Sequence, residues 1–172
     1  MVQVLVRALR VGGSSTASIV LQEAGGSRIL QLYIGAPEAA LIGYAIHAMK
    51  TPRPMTHDVM IAIAELQGGE ILDVEITDLV ENTFVAELRL KLNGRTEAVS
   101  IRPSDAIAVA IRAEVPLGIS EALLEQVGTY LEDEIEDEEA LSLLKAEEID
   151  EGALISELRE FLDTVNPEDF NP

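Results

Sequence analysis

From Phe84 to Leu92 apolar and polar positions alternate, with Phe84, Ala86, Leu88, Leu90 and Leu92 on one face and Val85, Glu87, Arg89 and Lys91 on the other. A period of two sustained over this length is that of a strand in an antiparallel sheet with one dry side. Comparable patterns predict strands at 2–10, 16–23, 28–34, 70–78, 83–92 and 95–101, and helices at 37–49, 57–67, 105–113 and 120–127. In the second helix Val59, Met60, Ile61, Ile63, Ala64 and Leu66 leave little polar surface, so it is expected to be largely buried, and Gly68-Gly69 ends it. Asn93-Gly94 is a type I′ hairpin signal, and Gly12-Gly13 and Gly25-Gly26 also read as hairpin turns.

The pattern runs twice along the chain. A shift of 67 positions places Leu21 on Leu88, Arg28 on Arg95, Ile34 on Ile101, Glu38 on Asp105 and Ala39 on Ala106. Further on the copies drift by four residues, so that Pro54, His57 and Asp58 correspond to about Pro116, Ser120 and Glu121. The fold class expected is α+β: two β3α2 units forming a curved, barrel-like, mostly antiparallel sheet with helices packed on it.

Beyond Gly128 the character changes. Glu132 to Glu139 is almost wholly acidic, and Leu154, Leu158, Phe161, Leu162 and Val165 recur at helical spacing, which predicts an amphipathic helix near 151–165. The expected organisation is a domain over 1–128 and an acidic helical tail over 129–172. The apolar stripe of the last helix needs cover, and a sheet built of two units has edges, so a homo-oligomer, a two-fold dimer, is expected.

Charge sharpens the division. The formal net charge is −19, but residues 121–172 carry 18 acidic and 2 basic residues, while residues 1–120 carry 13 and 10. The body is therefore nearly neutral, and a polyanionic partner is repelled only where the tail lies near. Cysteine is absent, which excludes disulfides and thiol chemistry, and His47 and His57 alone do not make a structural zinc site. The N-terminus opens on a strand-like run rather than a signal peptide, and no apolar stretch is long enough to span a bilayer, so a cytoplasmic protein is expected.

Candidate chemistry sits where strands turn into helices. In Arg102-Pro103-Ser104-Asp105-Ala106, Ser104 is a good N-cap, and Arg102 beside the partial positive charge of a helix start would welcome a phosphate-sized anion. Plain capping would call for the same serine and aspartate. The segment Pro52-Arg53-Pro54-Met55-Thr56-His57-Asp58 repeats the logic: Arg53 could bind phosphate, His57 could act as acid or base, and Asp58 could orient it or hold a metal. Here the bland account is a dipole-complementing aspartate beside a surface histidine. Glu38, Asp58 and Asp105 all fall at predicted helix starts and, if brought together, could share Mg²⁺; dipole complementarity alone would also place them there. Ser104 has no Gly-x-Ser-x-Gly setting, there is no P-loop, and aromatic stacking surface is scarce.

Strand, Ile34-Gly35, helix, Pro52-Arg53-Pro54-x-Thr56-His57-Asp58, then Phe84-x-Ala86 and Arg102-Pro103-Ser104-Asp105-Ala106, resembles the bifunctional nuclease domain family over roughly residues 1–128. The acidic tail lies outside the likeness. The resemblance implies a nuclease hydrolysing RNA, DNA or both. Joined to the reading of the junctions, it gives the expectation that His57, Asp58 and Asp105 are catalytic, that Arg53, Arg102 and Ser104 bind the substrate phosphate, and that a divalent metal such as Mg²⁺, with Glu38, Asp58 and Asp105 as candidate ligands, is the cofactor. The rival expectation, from the charge balance, is a non-catalytic regulatory module that binds a small anion or a protein at the same junctions.

Overall fold

The computed structural model describes residues 1–11 and 16–131. The acidic run from Glu132, the 151–165 amphipathic stretch and the Gly12-Gly13 turn lie outside these residues. The first half gives β1 (Val2–Val11), β2 (Thr16–Glu23) and β3 (Arg28–Gly35), then α1 (Ala36–Ile46) and α2 (Thr56–Leu66). The second gives β4 (Glu70–Val80), β5 (Thr83–Leu92), β6 (Arg95–Ile101), α3 (Pro103–Ala113), β7 (Leu117–Ile119), α4 (Glu121–Val127) and β8 (Thr129–Tyr130).

The repeat is visible in the element bounds: α1 and α3, each of 11 residues, begin 67 positions apart, as do β3 and β6. Each half starts as an antiparallel meander, β1-β2-β3 and β4-β5-β6, that hands over directly to a helix. The second half then departs from a β3α2 unit. Between α3 and α4 it inserts β7, which lies between the two meanders, parallel to β4 and antiparallel to β1.

The expected barrel does not form. One open, mixed, eight-stranded sheet runs in the order β6-β5-β4-β7-β1-β2-β3-β8, with β6 and β8 as its free edges. Closure would require those two edges to pair, and β8 has only two residues, bonded to β3 through Arg28 and Ile29. The acidic helical tail of the expected fold lies outside the described residues.

The alternation at 83–92 has its expected effect. Ala86 and Leu88 are buried opposite Ile76 and Val74 of β4, and Asn93 and Gly94 both take positive φ, as a type I′ turn requires. On this dry face lies α3, whose Ala106, Ile107, Ala108, Val109 and Ala110 are all buried. α1 and α2 both pack on this helix, and each fully buried isoleucine such as Ile107 or Ile42 contributes about 2–3 kcal/mol. A smaller cluster of Ala8, Val20 and Ile29, capped by Leu131, occupies the other side of the sheet.

Two expectations are corrected here. α3 begins at Pro103, with Arg102 as its N-cap, so Ser104 is a buried residue of the first turn rather than the cap. Proline fits the first helical position because its missing N–H is one that the helix leaves unbonded there. Nor is α2 largely buried: His57 is its single buried residue, while Val59, Met60, Ile63 and Leu66 face outward, Leu66 at 83% exposure. The helix turns its polar first turn inward against α3, and its apolar side is left outside.

Candidate functional site

The handover from β6 to α3 holds the backbone of Arg102 extended at φ −68°, ψ 144°, as befits the residue that caps the helix. The guanidinium folds back on the first turn: Nε donates to Asp105 Oδ2 at 2.7 Å and Nη2 to Asp105 Oδ1 at 3.1 Å. Its third arm, Nη1, reaches Glu38 Oε1 at 3.2 Å. Glu38 occupies in α1 the place Asp105 occupies in α3, so the duplication delivers two equivalent carboxylates to one arginine. Even so engaged, the Arg102 side chain is 67% exposed.

Behind Asp105 stands His57. Its Nε2 lies 3.1 Å from Asp105 Oδ1, and because an ionised carboxylate only accepts, Nε2 carries the proton and donates. The imidazole is 4% exposed, and its Nδ1 is buried with no hydrogen-bond partner among the described residues. Burial pushes the Asp105 carboxyl up, but the hydrogen bonds from Arg102 and His57 outweigh it and hold the group below the ordinary aspartate range. Asp105 is thus ionised at neutral pH, gripped from the solvent side by Arg102 and from the protein side by His57.

Asp58 serves a different contact. Its Oδ2 accepts the Met55 N–H at 2.7 Å, closing the first turn of α2, and its Oδ1 accepts from Arg112 Nη1 at 2.7 Å. The Met55 N–H first, and Arg112 with it, depress the carboxyl below its ordinary value although burial opposes them. Arg112 also donates from Nη2 to the Leu41 carbonyl of α1 at 3.3 Å. Nothing in the sequence reading picked out Arg112. The available signal was its spacing from Asp105: seven residues on, two helical turns along the same face of α3.

A cleft of about 590 Å³ opens in front of Arg102. The ends of β3 and β6, Gly35 with Glu38 at the start of α1, Arg102 to Ser104 at the start of α3, and the β4–β5 turn around Asn82 and Thr83 form its walls. The sheet therefore bends enough for strands near opposite edges to face one space. Of the residues singled out in the sequence, Glu38, Arg102 and Ser104 line this cleft, Asp105 and His57 lie directly behind Arg102, and Asp58 belongs to the α2–α3 contact. Arg53 is exposed in the loop before α2 and is not part of the cleft wall.

The structure does not gather Glu38, Asp58 and Asp105 into one cluster: among the described residues no group of three His, Cys, Asp or Glu side chains could hold a metal ion. Asp58 is further occupied at both oxygens. Glu38 and Asp105, joined through one guanidinium, are the pair that could share a cation with a substrate phosphate and water. Among the described residues no helix is long and apolar enough to cross a membrane.

Comparison with known proteins bears on this arrangement. An uncharacterized protein of Mycobacterium tuberculosis (strain H37Rv) is 40% identical over 152 residues, 88% of this chain and 87% of its own length. Bifunctional nuclease 1 of Oryza sativa subsp. japonica is 28% identical over 119 residues, and bifunctional nuclease 2 of Arabidopsis thaliana 29% identical over 111. Those matches cover 66% and 63% of this chain but only 36% and 34% of the plant proteins. Residues 19–132 match the bifunctional nuclease domain, a span that takes in the cleft, both arginine junctions and the strands from the middle of β2 onward: the chain belongs to the bifunctional nuclease domain family.

Proposed function

We propose that the chain is a nuclease that hydrolyses phosphodiester bonds in the cleft between the starts of α1 and α3. Family membership supports a nucleic-acid hydrolase. The observation that carries the reading to a place is Arg102, an exposed guanidinium at the mouth of the cleft, flanked by Glu38 and Asp105. In this reading Arg102 binds the scissile phosphate and neutralises charge that grows there, with the first-turn N–H groups of α3 adding to the field.

The carboxylates divide the remaining work. A general base works best with a pKa near the working pH, and Asp105 is held below its usual range, so it suits orienting Arg102 or a cation rather than taking a proton. Mg²⁺ commonly takes one or two carboxylates and fills its shell with water and substrate phosphate, which Glu38 and Asp105 could supply; it would add Lewis-acid stabilisation of the phosphate. His57, 4% exposed behind Asp105, orients that carboxylate and does not meet the substrate. Asp58 and Arg53 act at a distance from the reacting bond.

Either RNA or DNA fits a clamp that reads phosphate alone. The active form is read as a two-fold dimer, because β6 exposes every residue from Arg95 to Ser100 and leaves an unpaired strand edge; light scattering that returns a monomer mass would refute it. The absence of cysteine suits the reducing cytoplasm.

One observation favours a second reading. Among the described residues lining the cleft Arg102 is the single cation, which suits a small anion better than a polymer. The deciding experiment is cleavage of labelled RNA and DNA by the full chain, with and without chelator, beside Arg102→Ala and Asp105→Asn. Wild-type cleavage abolished by both substitutions supports the nuclease. Inactive wild type that still binds a nucleotide through Arg102 supports the small-anion module.

A further inference from the structure

We propose that Arg112 is a positioning residue for the cleft, acting through Asp58 and His57 on Asp105; this rests on the nuclease reading of the site. Three helices meet at its guanidinium. It leaves the last turn of α3, ion-pairs with Asp58 Oδ1 at 2.7 Å in the first turn of α2, and donates to the Leu41 carbonyl of α1 at 3.3 Å. Its side chain is 10% exposed, so these contacts are made in a largely desolvated setting where a displaced partner is not replaced freely by water.

The geometry gives this anchor its consequence. Asp58 with one oxygen takes Arg112 and with the other closes the turn at Met55, and His57 is its chain neighbour. Fixing that turn to α3 therefore fixes where the His57 ring can lie, and His57 Nε2 is what holds Asp105 from behind at 3.1 Å. The outer, apolar side of α2 is exposed at Val59, Met60, Ile63 and Leu66, and the helix packs chiefly on α3, so this polar inner contact bears on the placement of its first turn. Asp105 and Arg112 are two turns apart on α3, and α2 is clipped to both: by His57 at the cleft end and by Asp58 at the far end. A slip at the far end is transmitted through one rigid turn to the carboxylate that aims Arg102.

The test uses the full chain, with Arg112→Gln, Arg112→Lys and, as a remote ion-pair control, Arg89→Gln, which breaks the Arg89–Asp73 pair on β5 and β4. Two readings are taken on folded protein. In the ¹⁵N spectrum of the histidines, with His57 assigned by His57→Gln, Arg112→Gln is expected to displace the His57 Nε2 signal, Arg112→Lys to displace it less, and Arg89→Gln to leave it in place. In cleavage assays Arg112→Gln is expected to lower kcat roughly ten- to hundredfold with little change in KM, as misplacement of a catalytic group does, with partial rescue by lysine. An unmoved His57 signal in folded Arg112→Gln overturns the proposal, as does equal displacement by Arg89→Gln. If the wild type cleaves nothing, the nuclease reading fails while the spectrum still decides the role of Arg112. Should Arg112→Gln not fold, Asp58→Asn cuts the same pair from the other side and is judged by the same signal.

Discussion

His57 Nε2 donates to Asp105 Oδ1 across 3.1 Å, joining two helices whose starts are 47 residues apart in sequence. Both arginine-proline segments that stand out in the sequence thus end in one contact, although only the second opens on the cleft. The first segment supplies His57 behind Asp105, the second the exposed Arg102 in front of it.

Removing the clamp should separate specific from general electrostatics. Arg102→Ala is expected to weaken binding of a short oligonucleotide roughly tenfold at low salt and to reduce the salt slope by about one, as loss of one phosphate contact does. Arg53→Ala, outside the cleft wall, should change both far less. Anisotropy titrations over a salt series check this, and a larger effect from Arg53 would move the phosphate site to the loop before α2.

Glu38 competes with any phosphate for Arg102 Nη1. Exposed ion pairs are worth about 0.2–1 kcal/mol, so Glu38→Gln is expected to tighten binding of inorganic phosphate or oligonucleotide by up to about fivefold. If Glu38 also holds a metal, the same variant should bind better and cleave worse, a split that a binding assay and a rate assay reveal together. Weaker binding would show that Glu38 supports the anion indirectly.

Asp58 gives the fold an acid-sensitive joint. Its pKa is depressed on folding, so its stabilisation is complete above the ordinary value of 3.8 and is lost as pH falls through the lower folded value. Asp58→Asn should cost about 1–2 kcal/mol at neutral pH through the lost ion pair and weakened cap, and almost nothing in acid, where the wild type is itself protonated. Urea melts of the two proteins at both extremes measure it; a cost independent of pH would mean the ion pair adds nothing beyond the cap.

The acidic segment invites a cut placed by the fold. Thr129 and Tyr130 pair with β3 and Leu131 covers the outer apolar cluster, so the chain should be ended after residue 132 rather than at Gly128. With most of the excess negative charge gone, the shortened protein is expected to bind nucleic acid more tightly at low salt, the difference fading as salt rises. A thermal melt controls for folding. Equal affinity at low salt in a folded truncation would leave the segment no electrostatic part in binding.

Much of this was legible in the sequence because each half follows simple periodicities. Alternation from Phe84 to Leu92 marked a strand with one dry face, and the 67-residue offset anticipated that Glu38 and Asp105 would be equivalent. What escaped depended on tertiary context. Leu117 to Ile119 is too short to show a period, yet that strand joins the two halves. The apolar run in α2 pointed to burial, whereas the packing uses the polar turn at His57 and Asp58. Ser104 has the side chain of a cap, but Pro103 takes the first helical position and moves the cap to Arg102. Arg112 was hidden because its partner lies 54 positions away and no local rule couples them.

The place of β7 sets the order in which the molecule can be made. The β1-β2-β3 meander leaves the ribosome before the β4-β5-β6 meander, and among the described residues the strand pairing that links the two runs through Leu117–Ile119, which follow α3. Until then β1 and β4 each present an unsatisfied edge, and closing the gap spans more than a hundred residues from Val2 to Ile119. Long-range pairing of this kind is slow, and exposed edges in a nascent chain attract other chains. The N-terminal half therefore depends, throughout synthesis, on a three-residue strand that has yet to arrive.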